Sequence, residues 1–553
     1  MSHHRSPLFT TGRRRSLALV LLFGVLGVFA SVASTAQAST FVPVSGAGST
    51  WSQVALDQWR RNVVQYGIKI NYAGTGSSDG RNQFRNGTVD YAVSEIPYGL
   101  KDGGVFDTPP PRGYAYMPIV AGGTSFMYNL QIGGKRVTNL RLSGPVIAGI
   151  FTGNIKTWND ARIAKDNPAL QLPARKIVPV VRSDGSGTTA QFSTWLSAQY
   201  PSLWNAYCSK AGRSSPCGVT SNFPVVPGGG FAAQSGSLGV SGYVSQAANI
   251  GTITYVEYAY ALNTGFPVAK VLNKAGYYTE PTASNVAVGL LGATVNNNSK
   301  SPQYLTQQLG GVYDNPDKRT YPLSSYSYMI IPTKVENNFN TNKGYTLGRF
   351  AYYFLCEGQK QAPLLGYSPL PINLVKAGLT QVKRIPGVNV QSVNISKCDN
   401  PTFSSNGANL LAKTAPSPPA CDRAGPTQCT EGTGGAKNTS TAVTKAGGGG
   451  SSGNTGGTAG STAGGSSASG GTTGTTGGTA ASGGTAGGGT TGAGGQTVAA
   501  GSAGAVQADS VLVAQSSGWS TQNTAVVLAL ILLLGVIIGP PLVARSLRGR
   551  GTP

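Results

Sequence analysis

A long tract of small residues limits what this chain can fold into. Residues from about 433 to 505 are almost entirely Gly, Ser, Thr and Ala, and glycine accounts for 79 of the 553 residues of the chain. Such a tract cannot bury enough apolar surface to offset the entropy of ordering it. We therefore predict a flexible linker over residues 433–520, and we expect the folded part of the chain to precede it.

Apolar segments near both ends predict export and anchoring. Residues 1–38 contain an arginine cluster, an apolar run and an Ala-Gln-Ala site, the pattern of a secretory signal peptide. Residues 524–544 form an apolar run of the length that crosses a bilayer, and the basic tail 545–553 is expected on the cytoplasmic side. A cleaved lipid-anchor or wall-sorting signal is the alternative, although no LPxTG-like motif precedes the run. We expect a cell-surface protein held in the plasma membrane by a C-terminal helix.

The net charge favours an anionic partner. The formal charge is +23, and removing four charges with the signal peptide and three with the basic tail leaves +16 on the exported part. A basic surface attracts anions and raises their encounter rate. Charge alone does not separate a small anion from an acidic wall polymer. Nucleic acid is not expected as a partner, because the basic residues are scattered and the chain is exported.

The cysteines indicate disulfides rather than a metal site. The sequence has six cysteines, an even number in an oxidising compartment. Their spacing favours Cys208–Cys217 and Cys421–Cys429 as local loops, which leaves Cys356–Cys398, although other pairings are open. The spacing does not match a zinc site.

The absence of histidine from the expected mature chain excludes much enzyme chemistry. His3 and His4 are the only histidines, and both lie in the predicted signal peptide. Histidine-based triads and imidazole metal sites are therefore not available to the exported protein. We expect no metal, no cofactor and no catalytic residues.

Between residues 41 and 400 the pattern is that of an α/β fold. Residues 41–44 and 68–72 predict strands, residues 51–66 predict a helix, and residues 81–84 are expected to open another. Alternation of this kind indicates layered α/β architecture. Roughly 300 residues are available, which is enough for two lobes.

Three segments place hydroxyl-bearing residues behind a glycine turn and before a helix. They are SGAGSTW (45–51), GTGSSDG (74–80) and RSDGSGTT (182–189). A helix N-terminus presents unpaired N–H groups and favours anions, while Ser and Thr add hydroxyl donors. Each segment alone is more typical of an ordinary N-cap. Three in one chain favour an anion site, and a Walker loop is excluded because its lysine is missing.

Arg182 is the candidate cation of this site. Its guanidinium is permanently charged and forked, which suits a tetrahedral oxyanion, and Asp184 is placed to orient it. The alternative is an ordinary surface ion pair between Arg182 and Asp184.

At this point the sequence resembles a known family. The motifs that carry the resemblance are, in order, GAGSTWSQVALDQW, NYAGTGSSDG, GTVDYAVSE, FTGNIKTWNDARIAKDNPALQLP, VVRSDGSGTTAQFSTWL and GTITYVEYAYALN. They resemble the phosphate-binding protein of phosphate ABC importers, the PstS type. The resemblance spans residues 44–263 and continues more loosely to about residue 385.

The resemblance implies a two-lobed, type II periplasmic-binding-protein fold with a hinge. Lobe I would comprise residues 41–120 and 322–400, and lobe II residues 121–321. A Cys-containing tail, residues 401–432, would then lead into the linker.

The resemblance also implies the residues that contact a dehydrated phosphate in the cleft. They are Thr50, the backbone N–H of Trp51, Ser77, Arg182, Ser186, Gly187 and Thr188, with Asp184 as the partner of the arginine. Glu95 aligns with the carboxylate that accepts the proton of phosphate, where the family pattern carries Asp. Sulfate has no such proton, so a buried carboxylate there discriminates against it. Asp79 and Asp90 are the alternative acceptors.

The function that these expectations support is capture of inorganic phosphate by a monomeric binding protein for an ABC permease. A sensor or cell-envelope scaffold that keeps the same fold is the alternative, favoured by the basic charge and the membrane anchor. A phosphatase would need a Ser or Asp nucleophile and a metal held by carboxylates alone, and no acidic cluster stands out in the sequence. We therefore do not expect an enzyme.

Overall fold

A computed structural model describes residues 41–404 and 406–441. The predicted signal peptide (1–38), the anchor predicted at 524–544 and the basic tail at 545–553 lie outside these residues, as does most of the predicted linker. Within the described ranges, no helix combines the length and the apolar character needed to cross a membrane.

The strands are mostly short, and one long strand runs through the middle of the main sheet. The strands are β1 Val44–Gly48, β2 Ile70–Ala73, β3 Tyr91–Ser94, β4 Lys101–Asp102, β5 Val105–Phe106, β6 Tyr114–Asn129, β7 Gln131–Ile132, β8 Lys135–Arg136, β9 Arg141–Leu142, β10 Val178–Arg182, β11 Ala232–Gln234, β12 Thr252–Glu257, β13 Lys270–Leu272, β14 Tyr278–Thr279, β15 Thr294–Val295, β16 Gln307–Gln308 and β17 Ser324–Pro332. At 16 residues, β6 is long enough to take part in two half-sheets.

Helices follow most of the strands of the main sheet. The α-helices are α1 Gln53–Val63, α2 Ser77–Arg85, α3 Gly144–Phe151, α4 Ala161–Asp166, α5 Gly187–Gln199, α6 Pro201–Lys210, α7 Gly236–Ser245, α8 Tyr258–Thr264, α9 Ala283–Gly289, α10 Gly310–Tyr313, α11 Thr341–Leu355, α12 Ile372–Val382 and α13 Leu410–Lys413. Short 3-10 turns occur at Val64–Tyr66, Leu290–Gly292, Glu357–Leu365, Ile395–Lys397, Ala420–Asp422 and Gly434–Ala436. In α1 the residues Ala55, Leu56, Trp59 and Val63 are buried, so one apolar stripe faces the sheet.

The main sheet has eight strands in the order β11-β10-β12-β6-β17-β3-β1-β2. Strands β2, β1 and β3 form the first half-sheet, in which β1 is parallel to both neighbours. Strands β12, β10 and β11 form the second half-sheet, in which β10 is parallel to both neighbours. The antiparallel strands β6 and β17 join the halves: β6 pairs first with β17 and then, further along, with β12.

Each half-sheet has its own hydrophobic core. The core of the first half-sheet includes Trp51, Trp59 and Phe354, all buried. The core of the second half-sheet includes Phe151 and Phe192, whose ring centroids lie 5.1 Å apart. The mixed α/β architecture is therefore that of a periplasmic-binding-protein-like fold, whereas the residue boundaries predicted for lobe I and lobe II stay a prediction.

The cysteines pair as their spacing favours. The disulfides are Cys208–Cys217, Cys356–Cys398 and Cys421–Cys429. No free cysteine occurs in the part of the chain that is described.

Residues 400–441 form a segment, here called the strap, that runs from the first half-sheet to the second. At its start Asn400 and Thr402 donate to the carbonyl of Leu370, which lies just before α12 in the first half of the molecule. In its middle α13 packs against α9, and Ala412 and Ala415 form a small core with residues of α9.

The end of the strap docks on the second half of the molecule. The guanidinium of the buried Arg141 donates to the carbonyls of Cys421 and Thr427, and Lys270 pairs with Asp422 at 2.6 Å. These contacts give the buried cation of Arg141 hydrogen-bond acceptors in the strap, as a buried charge requires.

Three boundaries differ from the sequence-based expectations. The first strand begins at Val44 and not at residue 41, and α2 begins at Ser77 and not near residue 81. The linker predicted from residue 433 does not begin there, because Thr433 is fully buried and bonds to Thr138 and Val268. Composition alone does not reveal such contacts, since Gly and Thr occur equally in linkers and in close-packed turns.

Candidate functional site

The predicted turns all lie at the carboxyl ends of parallel strands. The first turn follows β1, the second follows β2 and the third follows β10. In open α/β sheets the crevice at the carboxyl ends of the strands is where ligands bind. Glu95 directly follows β3, and a further carboxylate, Glu257, is the last residue of β12.

Backbone hydrogen bonds hold the three turns against one another. Gly76 of the second turn donates to the carbonyl of Gly48 in the first at 2.8 Å. Ser78 of the second turn donates to the carbonyl of Gly185 in the third at 3.0 Å. Gly76 has a φ of +96°, and a Cβ there would lie 2.7 Å from a carboxylate oxygen of Asp184. Only glycine therefore permits this approach.

Side chains of the predicted site also meet across the two half-sheets. The backbone N–H of Gly187 donates to Oγ of Ser77 at 3.1 Å. Thr50 Oγ1 lies 2.8 Å from Oγ of Ser237, the second residue of α7. The structure thus brings the three turns into one buried cluster, as the sequence predicts; their role in binding an anion stays a prediction.

Glu95 lies at the centre of a group of serines. Its side chain is 1% exposed and accepts hydrogen bonds from Ser49 at 2.7 Å, from Ser327 at 2.7 Å and from Ser77 at 2.9 Å. Burial raises the pKa of Glu95, and the hydroxyls of Ser327, Ser49 and Ser77 lower it only in part. The carboxyl group therefore lies where an anion with its own proton could donate to it.

Neither alternative acceptor lies in this cluster. Asp79 is exposed on α2 and accepts from Gln83. Asp90 lies at the amino end of β3, opposite to Glu95, where it accepts from the backbone of Ser45 and pairs with Lys343 at 2.8 Å. Among the three acids considered, Glu95 is the one that the structure places beside the turns.

Arg182 is buried, and Asp184 holds it at two points. Nε of Arg182 donates to Oδ1 of Asp184 at 2.7 Å, and a terminal nitrogen donates to Oδ2. Its other terminal nitrogen donates to Oγ of Ser237 at 3.2 Å. Burial opposes ionisation of Asp184, but the hydrogen bonds and charge of Arg182 outweigh it, and the pKa of Asp184 is lowered. The surface ion pair considered as the alternative is wrong, since Arg182 is only 3% exposed.

Ser186 acts as an N-cap, and the Trp51 N–H is already engaged. Oγ of Ser186 accepts from the backbone N–H of Thr189 at 3.2 Å and so caps α5. A hydroxyl that accepts in this way still has its own proton to donate. The backbone N–H of Trp51 donates to Oγ of Ser49 at 2.9 Å, so contact with an anion would require that bond to change.

Sequence reasoning placed Ser49 in the first turn but assigned no contact to it, and it gave no site role to three further polar groups of the cluster: Ser237, Glu257 and Ser327. Ser49 lies in the first turn beside Thr50, and Ser237 follows Gly236 at the start of a helix, so the same glycine-hydroxyl pattern indicates both. Glu257 lies within the motif GTITYVEYAYALN. Ser327 lies within the buried strand β17 and has no local pattern that identifies it.

Comparison with known proteins identifies the class. The sequence model of the PBP superfamily domain matches residues 31–357. The phosphate-binding protein PstS of Xylella fastidiosa (strain Temecula1) is 33% identical over 343 residues, covering 62% of this chain and 85% of that protein. PstS of Methanocaldococcus jannaschii is 30% identical over 376 residues, covering 66% of this chain and 92% of that protein. The chain therefore belongs to the PBP superfamily and, within it, to the PstS family of phosphate-binding proteins.

Solved structures with a similar chain path include other phosphate-binding proteins. The periplasmic phosphate-binding protein PfluDING, solved with phosphate, is 19% identical with a TM-score of 0.47, covering 64% of this chain and 100% of that one. A phosphate-binding protein from Stenotrophomonas maltophilia is 18% identical with a TM-score of 0.44, covering 61% and 92%.

Proposed function

We propose that this chain is a solute-binding protein that captures inorganic phosphate in the cluster around Arg182 and Glu95. The observation that carries the proposal is the convergence of three hydroxylated turns at the carboxyl ends of parallel strands, beside one buried guanidinium. Membership of the PstS family supports it. The contacts proposed for phosphate are Thr50, Trp51, Ser77, Glu95, Arg182, Ser186, Gly187 and Thr188.

Arg182 supplies the cation and Glu95 the selectivity. The guanidinium, with its geometry fixed by Asp184, offers directed N–H groups to a tetrahedral oxyanion. Glu95 accepts the proton of phosphate, whereas sulfate would meet a carboxylate with nothing to donate to it. Glu replaces the family's Asp here and reaches the cluster through one more methylene, and its contacts with Ser49, Ser77 and Ser327 accommodate that length.

The apolar segments near both ends of the sequence suggest where the protein is located in the cell and which partner it serves. We propose that residues 1–38 direct export, that residues 524–544 anchor the protein in the plasma membrane, and that an ABC permease receives the phosphate. The apolar segments, the basic tail and the family membership support this. Uptake of labelled phosphate by a deletion strain tests the transport role. Normal uptake with altered envelope behaviour would favour the sensor or scaffold alternative.

Calorimetry on the purified chain tests the binding proposal directly. Titration with phosphate is expected to show tight one-site binding and titration with sulfate weak or no binding; competition with arsenate and phosphite, repeated with Glu95→Asp, maps the selectivity. The absence of phosphate binding, by calorimetry and by thermal shift together, would contradict the proposal.

A further inference from the structure

Glu257 is a second buried carboxyl group in the site. Its side chain is 1% exposed and ends β12 beside the third turn. Oε1 of Glu257 lies 2.5 Å from the hydroxyl oxygen of Thr188, a proposed phosphate contact. Oε2 is buried and makes no hydrogen bond of normal geometry within the described residues. Buried polar atoms are usually satisfied, so this oxygen calls for a physical explanation.

The contact with Thr188 determines where that hydroxyl proton can go. A threonine hydroxyl has one proton to donate. If Glu257 is ionised, it takes this proton, and Thr188 has none for an anion. If Glu257 is protonated on Oε1, it donates to Thr188, and the hydroxyl proton of Thr188 can then turn to the anion. The protonation of Glu257 thus decides whether Thr188 is a donor to the ligand.

The local charges favour the protonated form once an anion is present. The charge of Arg182 is offset by Asp184, with which it forms a two-point pair. If Glu95 and Glu257 were both ionised, an entering anion would meet a cluster of net negative charge. Carboxylates that share a buried site do not ionise independently, because each raises the pKa of the other.

The hydrogen bonds show which of the two glutamates is better suited to hold the proton. Three serine hydroxyls donate to Glu95 and serve both of its oxygens. Glu257 has Thr188 on Oε1, whereas Oε2 has no hydrogen bond of normal geometry within the described part. The hydroxyl of Ser237 also lies near this carboxyl group, but it is shared with Thr50 and Arg182. An ionised carboxylate needs donors at both oxygens, whereas a neutral carboxyl group tolerates one unpaired carbonyl oxygen better.

We propose that Glu257 is the proton-holding group of this anion site. On binding of the anion it takes up one proton from solvent, and its carboxyl O–H donates to Thr188, whose hydroxyl donates to the anion. The proton leaves a water or buffer acid and ends on Oε1, and no other covalent bond changes. The inference rests on the proposed function, since it assigns a role to Glu257 in phosphate capture.

Other titratable groups near Glu257 do not replace it in this role. Those that face it are Arg182, Glu95 and the phenols of Tyr260 and Tyr367. Burial raises the pKa of both tyrosines well above its ordinary value, so they stay neutral at working pH. Burial also raises the pKa of Glu257, with Arg182 and the neighbouring hydroxyls opposing it.

Proton uptake on binding can be measured on the unmodified protein. Phosphate is titrated into the full chain at one pH in buffers of different ionisation enthalpy, and the slope of observed heat against that enthalpy gives the number of protons taken up. The ligand's own titration contributes equally to any variant, so the same measurement is made on Glu257→Gln. We expect the wild type to take up more protons than this variant, by up to one per phosphate.

The pH dependence of affinity gives an independent readout. If binding requires the uptake of one proton, the affinity falls by about tenfold for each unit by which the pH exceeds the pKa of the unbound group. Glu257→Gln removes the titrating group, so its affinity for phosphate, whatever its value at low pH, is expected to fall less steeply than that of the wild type as pH rises. Glu280→Gln alters a buried carboxyl group that contacts Tyr258 and the strap, and it should keep the wild-type slope.

The possible outcomes distinguish failure of this inference from failure of the proposed function. Failure of the wild type to bind phosphate contradicts the proposed function. Binding with the same proton uptake in wild type and Glu257→Gln overturns the inference alone. Loss of binding at every pH by a Glu257→Gln protein that melts like the wild type also overturns it, because a charged glutamate would then be required.

Discussion

Gly187 and Glu95, which approach from opposite half-sheets, leave no space for one additional carbon atom between them. A Cβ at position 187 would lie 1.9 Å from Oε2 of Glu95 and 2.5 Å from Oγ of Ser77. All these atoms are buried, so an added methyl group must push the two half-sheets apart or displace the carboxylate.

Gly187→Ala is therefore expected to weaken phosphate binding by about 10- to 100-fold, the equivalent of the ~1–3 kcal/mol that overpacking costs. Calorimetry measures the change. Gly242→Ala is the matched control, since a Cβ in that helix meets no atom within 4 Å. Equal affinities for the two variants would mean that the closed contact at position 187 is not needed for binding.

Arg182→Ala should abolish measurable binding. It removes the buried cation and leaves the half-buried Asp184 with the backbone N–H of Gly236 as a donor, so a negative charge remains in the site where the cation was. Arg182→Lys keeps the charge but not the two-point contact and should bind at least about tenfold more weakly than wild type. Arg162→Ala breaks a pair of the same sequence spacing, with Asp160, in which the arginine is exposed, and should leave affinity unchanged. Thermal melting of each variant separates loss of binding from loss of folding.

Glu95→Gln tests the source of selectivity. The amide has no negative charge to repel sulfate, and its NH₂ group can donate to a sulfate oxygen, while its carbonyl oxygen still accepts the proton of phosphate. The ratio of phosphate to sulfate affinity is expected to fall by at least about 100-fold. Asp79→Asn, at the exposed alternative acid, should leave that ratio unchanged; a loss of selectivity there instead would assign the acceptor role to Asp79.

The end of the strap should contribute to stability. Removing residues after 432 deletes Thr433, which bonds to Thr138 and Val268, and Gly434, which donates to Glu280. Each lost buried bond costs ~1–3 kcal/mol, so we expect a melting temperature lower by several degrees. Truncation after Thr441 is the control and should melt like the full chain. Identical melting of the two truncations would place the start of the linker at residue 433 after all.

Stability of the unliganded protein should fall as pH rises. Burial raises the folded-state pKa of Glu95 and of Glu257, so the folded state binds more protons than the unfolded state between the ordinary glutamate pKa of about 4.3 and the raised values. The contribution of these two groups to the free energy of unfolding is fully present below this pH range and is lost as the pH rises through it. Asp184, with its lowered pKa, acts oppositely and only below about pH 3.9. Between pH 5 and 8, the melting temperature should fall less steeply with pH for the double variant Glu95→Gln/Glu257→Gln than for the wild type.

Local patterns in the sequence predicted the elements that depend on neighbouring residues. The glycine-hydroxyl turns before α1, α2 and α5 were recognisable because strand ends, glycine turns and helix starts follow one another along the chain. The disulfides Cys208–Cys217 and Cys421–Cys429 close short loops, so their pairing could also be predicted from local spacing.

Contacts between distant residues were not predictable in this way. Ser327 reaches Glu95 across 232 positions, and only the pairing of β17 with β3 brings them together. Arg182 is buried and reaches Ser237, 55 positions later, and no local pattern around Arg182 indicates either fact. The docking of Thr433 likewise depends on Thr138, some 295 positions earlier.

The strap also determines where mechanical load would enter the molecule. Thr441, the last described residue, contacts the backbone N–H and the hydroxyl of Thr138 at 2.7 Å and 2.8 Å, on the half that carries Arg182. If the C-terminal segment is anchored as proposed, a pull towards the membrane reaches that half first, while the half with Glu95 is held through β6, β17 and the earlier strap contacts. The half that carries Arg182 would then stay fixed relative to the anchor, and the half with Glu95 would be the one that moves when the ion enters or leaves.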